Sequence, residues 1–169
     1  NFIKKNFNKN DYVLDFACGA GYFSSLFNEK KYLGVEINKN FVSTARKKHK
    51  KYKFKILNKN CLDGYKNKIN SIFINNVLHH LTDDEINEVF VFFTKKLRPG
   101  TKIFIVEPLL PKKFFSSEFF MKVVDIGENM KTKKEYLKVL KQKFFIKKYK
   151  VKVLSIAHAL VLSGFLMKN

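Results

Sequence analysis

The residues best placed to do chemistry in this 169-residue chain are Asp15, Ala17, Cys18, Gly19 and Gly21, at the end of a short apolar run, Tyr12-Val13-Leu14. A strand closed by an acid and followed by small residues and a Gly-Ala-Gly turn suits a nucleotide. Glycine allows a tight turn and puts no Cβ between backbone and ligand. A helix over about 21–28, with Phe23, Leu26 and Phe27 at helical spacing, is expected to add unpaired N–H groups. A second acid, Glu36, ends the apolar run Tyr32-Leu33-Gly34-Val35. An acid at the tip of the second strand of a βαβ unit accepts the hydroxyls of a ribose. His79 and His80 follow a later apolar run. Either is a candidate general base, or the pair serves to support a helix start. His158, among apolar neighbours, reads as structural. Cys18 and Cys61 are the only cysteines, too few for a disulfide framework or a zinc site, so no metal is expected and a reducing compartment fits.

These residues need a scaffold, and the hydrophobic pattern supplies one. Strands are expected at 12–16, 32–36, 53–57, 71–75 and 101–107, and helices at about 39–50 and 83–97. Strand–helix alternation implies a parallel sheet with helices on both faces. Thr82 with Glu85 forms a capping box, Arg98-Pro99-Gly100 stops that helix, and Thr132 caps another that ends near Lys143. Leu109 to Met130 is Phe-rich and basic and reads as one or two helices. Phe144 to Val153 and Ser155 to Leu166 read as two strands joined by a very tight turn, so one of them must run antiparallel.

In order, VLDFACGAG, YLGVEIN, NCLD, INNVLHHL and LRPGTKIFIVEP resemble the motifs of class I S-adenosylmethionine-dependent methyltransferases, in particular the small-molecule branch that includes quinone-biosynthesis methyltransferases. The resemblance runs from about Asp11 to the C-terminus. It implies a Rossmann-like α/β fold with a mostly parallel seven-stranded sheet, order 3-2-1-4-5-7-6, an antiparallel strand in the C-terminal hairpin, and S-adenosyl-L-methionine as cofactor. Asp15, Ala17, Cys18, Gly19 and Gly21 would then line its methionine end, with Ala17 where the family usually has glycine. Glu36 would take the ribose hydroxyls, and Ile37 and Phe41 would cover the adenine. Asp63 would accept the adenine amino group with Leu62 beside it, and the carbonyl of Asn75 would lie near the methionine amino group. Asn70 stands where the family often carries an acid, which puts in doubt any mechanism that uses an acid there.

Composition bounds the rest. The chain is 46% hydrophobic and 15% aromatic, enough to fill the core of one domain over 1–169. No run of about eighteen apolar residues reads as a membrane span, and a cytoplasmic location is expected. Few residues precede Asp11, so an N-terminal lid is expected to be missing or truncated. The net charge of +20 invites a nucleic-acid reading, yet Arg46 and Arg98 are the only arginines, and guanidinium is the better phosphate and base reader. Lysines scattered among Asn, Ile and Phe also fit compositional drift. The expected partner is a small-molecule substrate, with nucleic acid second and the oligomeric state open. The competing functions are an RNA or protein methyltransferase, a nicotinamide-dependent oxidoreductase and an inactive cofactor-binding subunit. Against the second of these, Ser24 stands where the dinucleotide fingerprint needs a third glycine.

Overall fold

The computed structural model describes residues 2–109, 129–142, 144–154 and 157–167. Seven strands form one sheet: β1 Val13–Phe16, β2 Tyr32–Glu36, β3 Lys53–Ile56, β4 Ser71–Asn75, β5 Lys102–Pro108, β6 Phe144–Leu154 and β7 Ala157–Leu166. Their order is β3-β2-β1-β4-β5-β7-β6. The first five strands pair in parallel, while β7 is antiparallel to both β5 and β6. This is the architecture the motifs implied. The inner strands read as continuous apolar runs because they are covered on both faces, and β1, β2 and the first four residues of β4 are buried throughout.

Helix α1, Lys39–Lys48, sends Val42 and Ala45 into one face, together with Tyr32, Phe54 and Phe73. Helices α2, Asp83–Lys96, and α3, Lys133–Lys141, cover the other face with Ile86, Phe90, Phe93, Tyr136 and Leu140. The predicted capping box of Thr82 with Glu85 is present, and the expected cap Thr132 forms one as well, with Glu135. The segment from Phe2 to Phe7 packs on the α1 face, where the Phe7 ring meets Phe27, Phe73 and Phe104 edge-on. Residues 110–128, where the Phe-rich helices were expected, lie outside the described residues, as does the turn at 155–156.

The helix expected over 21–28 does not form. Ser24–Leu26 is a single 3-10 turn, and a second, Glu29–Lys31, starts where the Asn28 side chain accepts from the Lys30 N–H. Gly21 is left-handed (φ 79°), and the stretch before Asn28 is too short to repay helix nucleation. Phe23 and Phe27 are held instead by their contacts with Phe73.

Candidate functional site

Because β1, β2, β3, β4 and β5 are parallel and in register, the residues after each strand gather along one edge of the sheet. These are Ala17–Gly21, Ile37–Phe41, Leu57–Asn58 and Asn76–His80, with Glu107 at the tip of β5. Ligands of open α/β sheets bind along this carboxyl edge.

Two acids build the edge. The first is Glu36, buried at the end of β2. One carboxylate oxygen accepts the Gly19 N–H at 3.0 Å and the other the Asn38 N–H at 2.9 Å. The glycine turn is thereby clipped to β2, and each oxygen keeps a lone pair for a hydroxyl. The turn is further tied by the Cys18 N–H donating to Val35 and the Gly21 N–H donating to Cys18, each at 3.0 Å. Its N–H groups are therefore largely spent on the turn itself, and no helix N-terminus stands behind it.

Gly19 (φ 54°) and Gly21 (φ 79°) are left-handed, and so is Ala17 (φ 54°), which carries a Cβ where glycine would be strain-free. A Cβ on Gly19 would meet nothing within 4 Å, whereas one on Gly21 would lie 2.9 Å from the Phe54 ring. Gly21 thus lets the turn rest on the core, and Gly19 leaves open space above it. Beneath lies Asp15, buried and accepting the Tyr32 hydroxyl at 2.7 Å. Burial pushes its carboxyl up to about 7; the Tyr32 hydrogen bond pulls down and the charge of Glu36 pushes up. Burial also raises the Cys18 thiol well above its ordinary range, and its sulfur packs against Gly34. Cys18 therefore gives the edge its backbone and not its side chain. Around the turn stand large apolar groups left in solvent: Tyr22, 74% exposed, Ile37, 72%, and Phe41, 49%. Phe41 is thus no part of the core.

The second acid is Glu107. It is fully buried; one oxygen accepts the N–H groups of Val77 at 2.8 Å and Leu78 at 3.0 Å. The other takes the His79 N–H at 3.3 Å and Nδ1 of the His79 ring at 2.9 Å. This holds a 3-10 turn, Leu78–His80, beside half-buried Asn75 and left-handed Asn76. His79 is buried while His80 is exposed, so of this pair it is His80 that offers solvent an accessible imidazole. The Tyr136 hydroxyl is buried without a hydrogen-bond partner among the described residues, and burial with the charge of Glu107 raises its pKa. Glu107 escaped the sequence reading, although it has the signature of Glu36: an acid closing an apolar strand.

Two of the expected residues lie away from this edge. Asp63 pairs with Lys96 at 2.7 Å, and Lys96 is the last residue of α2, which runs from the carboxyl edge back to the amino edge. Asp63 therefore sits toward the amino edge, and Leu62 is buried in the α2-side core. The residue at the carboxyl edge after β3 is Asn58, whose side chain spans the Ile56 carbonyl and the Asn60 N–H. Asn70 likewise lies at the amino edge, where its side chain accepts the Tyr12 N–H at 3.0 Å. Its side chain thus serves the start of β1, away from the residues that follow the strands. His158 is exposed in β7. Among the described residues no cluster of His, Cys, Asp or Glu could hold a metal, and no helix is long and apolar enough to cross a membrane.

A family model described as a methyltransferase domain matches residues 7–157, which include the whole carboxyl edge. The chain belongs to that family. It is thus a methyltransferase, with S-adenosyl-L-methionine as cofactor. Among proteins of curated function, none matches in sequence. Solved structures share the fold. A SAM-dependent methyltransferase of Methanosarcina mazei has 18% identity over 99% of this chain and 98% of its own, with a TM-score of 0.77. Geranyl diphosphate C-methyltransferase from Streptomyces coelicolor, in complex with Mg2+, geranyl diphosphate and S-adenosyl-L-homocysteine, has 11% identity over 95% and 75%, with a TM-score of 0.68. Magnesium protoporphyrin IX methyltransferase from Synechocystis, with bound S-adenosylhomocysteine, has 15% over 98% and 78%, and a TM-score of 0.67. The methyltransferase edge fits its cofactor on its own geometry: open space above Gly19, acceptor lone pairs on Glu36 and apolar walls standing in water.

Proposed function

We propose that this methyltransferase moves the methyl group of S-adenosylmethionine to a small-molecule acceptor. The observation that carries the reading is the exposure of Tyr22, Ile37 and Phe41 around the Glu36-clipped turn, an apolar surface suited to a bound molecule. Glu36 takes the ribose hydroxyls, Ile37 and Phe41 flank the adenine, and Gly19 and Gly21 admit the methionine end over Asp15 and Ala17. Asn75 offers its carbonyl beside them. When bound, the cofactor supplies an electrophilic methyl group on a sulfonium, transferred by in-line displacement: the C–S bond breaks as the bond to the acceptor forms. The chain's part is positioning. Glu107 and His79 hold the turn after β4 that faces the acceptor, and His80 is the imidazole able to take a proton from it.

A small acceptor is supported by the sequence after β4, Asn75-Asn76-Val77-Leu78, which lacks the Asn-Pro-Pro-Tyr of nucleic-acid enzymes, and by neighbours named for geranyl diphosphate and magnesium protoporphyrin IX. Incubation with methyl-labelled cofactor and either a small-molecule extract or total RNA tests it. Label is expected in the small-molecule fraction; label in RNA alone overturns the reading.

A further inference from the structure

The charge of this chain is not evenly spread. After Glu135 the sequence contains eight lysines and no acid, and the structure puts most of that stretch at one side of the sheet. β6 is the outermost strand, paired only with β7. Its Lys147, Lys148 and Lys150 are exposed and Lys152 is half-buried. Among the described residues no ion pair involves any of them. Lysines on an edge strand ordinarily discourage strand pairing between molecules, but this strand also exposes Phe145, 62%, Tyr149, 46%, and Val151, 43%, near exposed Met167. Such groups defeat that purpose.

The β6–β7 register defines the faces of the strand. Past the bulge between Ile146 and Lys148, Lys148, Lys150 and Lys152 pair with Ser163, Val161 and Ala159, whereas Tyr149 and Val151 pair with Leu162 and Leu160. Lysines thus alternate with apolar groups, about 6.8 Å between neighbours on one face. Only an edge-on approach meets both rows at once. β6 also runs in the direction of β5, and Lys152 lies level with Pro108 through Ala159. The strand therefore reaches the carboxyl edge that carries the site.

We propose that the β6 edge is a docking surface for an anionic lipid bilayer. Lysine ammonium groups meet lipid phosphates, and Phe145, Tyr149, Val151 and Met167 enter the interfacial layer. A nucleic acid fits less well, because Val151 and Met167 stack on no base, the aromatic residues are split between faces, and both arginines lie elsewhere.

The test is co-sedimentation of the folded protein with phosphatidylcholine vesicles, with and without phosphatidylglycerol. Binding is expected only to the anionic vesicles, weakening but not vanishing with salt. The pair Lys148→Glu/Lys150→Glu should lower it roughly tenfold or more, and the control pair Lys50→Glu/Lys51→Glu, of equal charge, should lower it far less. Phe145→Ser should remove the part that survives salt. The chain has no tryptophan, so Phe145→Trp reports insertion directly. Its emission should shift to the blue on anionic vesicles, while that of Val91→Trp, on α2, should not. Equal loss in the two lysine pairs, or no shift at position 145, overturns the proposal.

Discussion

Glu36 has two tasks, and a mutation should reveal both. Removing its carboxylate takes the acceptor from the Gly19 and Asn38 N–H groups and from any ribose at the edge. Charged acceptors contribute roughly 1.5–3 kcal/mol per hydrogen bond. Glu36→Ala should therefore weaken S-adenosylhomocysteine binding about a hundredfold in a calorimetric titration and also lower the melting temperature. Glu36→Gln should recover part of the melting temperature and little of the affinity. An unchanged affinity would make Glu36 a loop clip only. Asp15 makes a pH prediction. Its folded pKa, about 7, lies above the ordinary 3.8, so the native state holds its proton more tightly than the unfolded chain. The associated stability is full below about pH 4 and lost as pH rises through 7, on the order of 2–4 kcal/mol. Asp15→Asn should flatten this part of the melting-temperature profile between pH 4 and 8. If Asp15 lies beside the methionine ammonium, affinity for S-adenosylhomocysteine should rise over the same window in the native protein and not in the variant. Glu107→Ala should cost about 3–5 kcal/mol in denaturant unfolding, since its buried donors would lose their acceptor; a loss near zero would mean that the turn after β4 holds without it.

Strands β1, β2, β4 and β5 are legible because each is a short apolar run closed by a polar residue, and helices α2 and α3 because Thr82 and Thr132 stand in the sequence as caps. What stayed illegible depended on tertiary contacts. Gly21 and the aromatic contacts of Phe23 and Phe27 override a helical spacing that looks sufficient by itself. Asp63 follows β3 closely enough to suggest the cofactor, yet the chain has already descended to Lys96 at the other edge. The role of Glu107 is illegible in sequence because its partners, the N–H groups after β4, are distant along the chain. Gly34 is a further case: it reads as an ordinary strand residue, but a Cβ there would lie 2.6 Å from the Phe54 ring and 2.8 Å from the Cys18 sulfur. Gly34→Ala should destabilise by about 1–3 kcal/mol through overpacking, visible as a lower denaturant midpoint, and should loosen the glycine turn through Cys18. Wild-type stability in that variant would show that Phe54 has room to yield.

At the scale of the molecule, one sheet holds the carboxyl edge proposed to take the cofactor and the lysine-rich β6 edge, and the two meet at the level of Pro108. Part of the net charge of +20 thus lies in a row along the rim strand β6. The account rests most heavily on the edge formed by Asp15, the Gly19–Gly21 turn, Glu36, Ile37 and Phe41 being a cofactor site. A calorimetric titration of the intact chain with S-adenosylhomocysteine, and in parallel with NADH, tests this directly. Saturable one-to-one binding of S-adenosylhomocysteine, lost with Glu36→Ala, and no heat from NADH is the result predicted. Binding of NADH, or S-adenosylhomocysteine binding indifferent to Glu36, would contradict it.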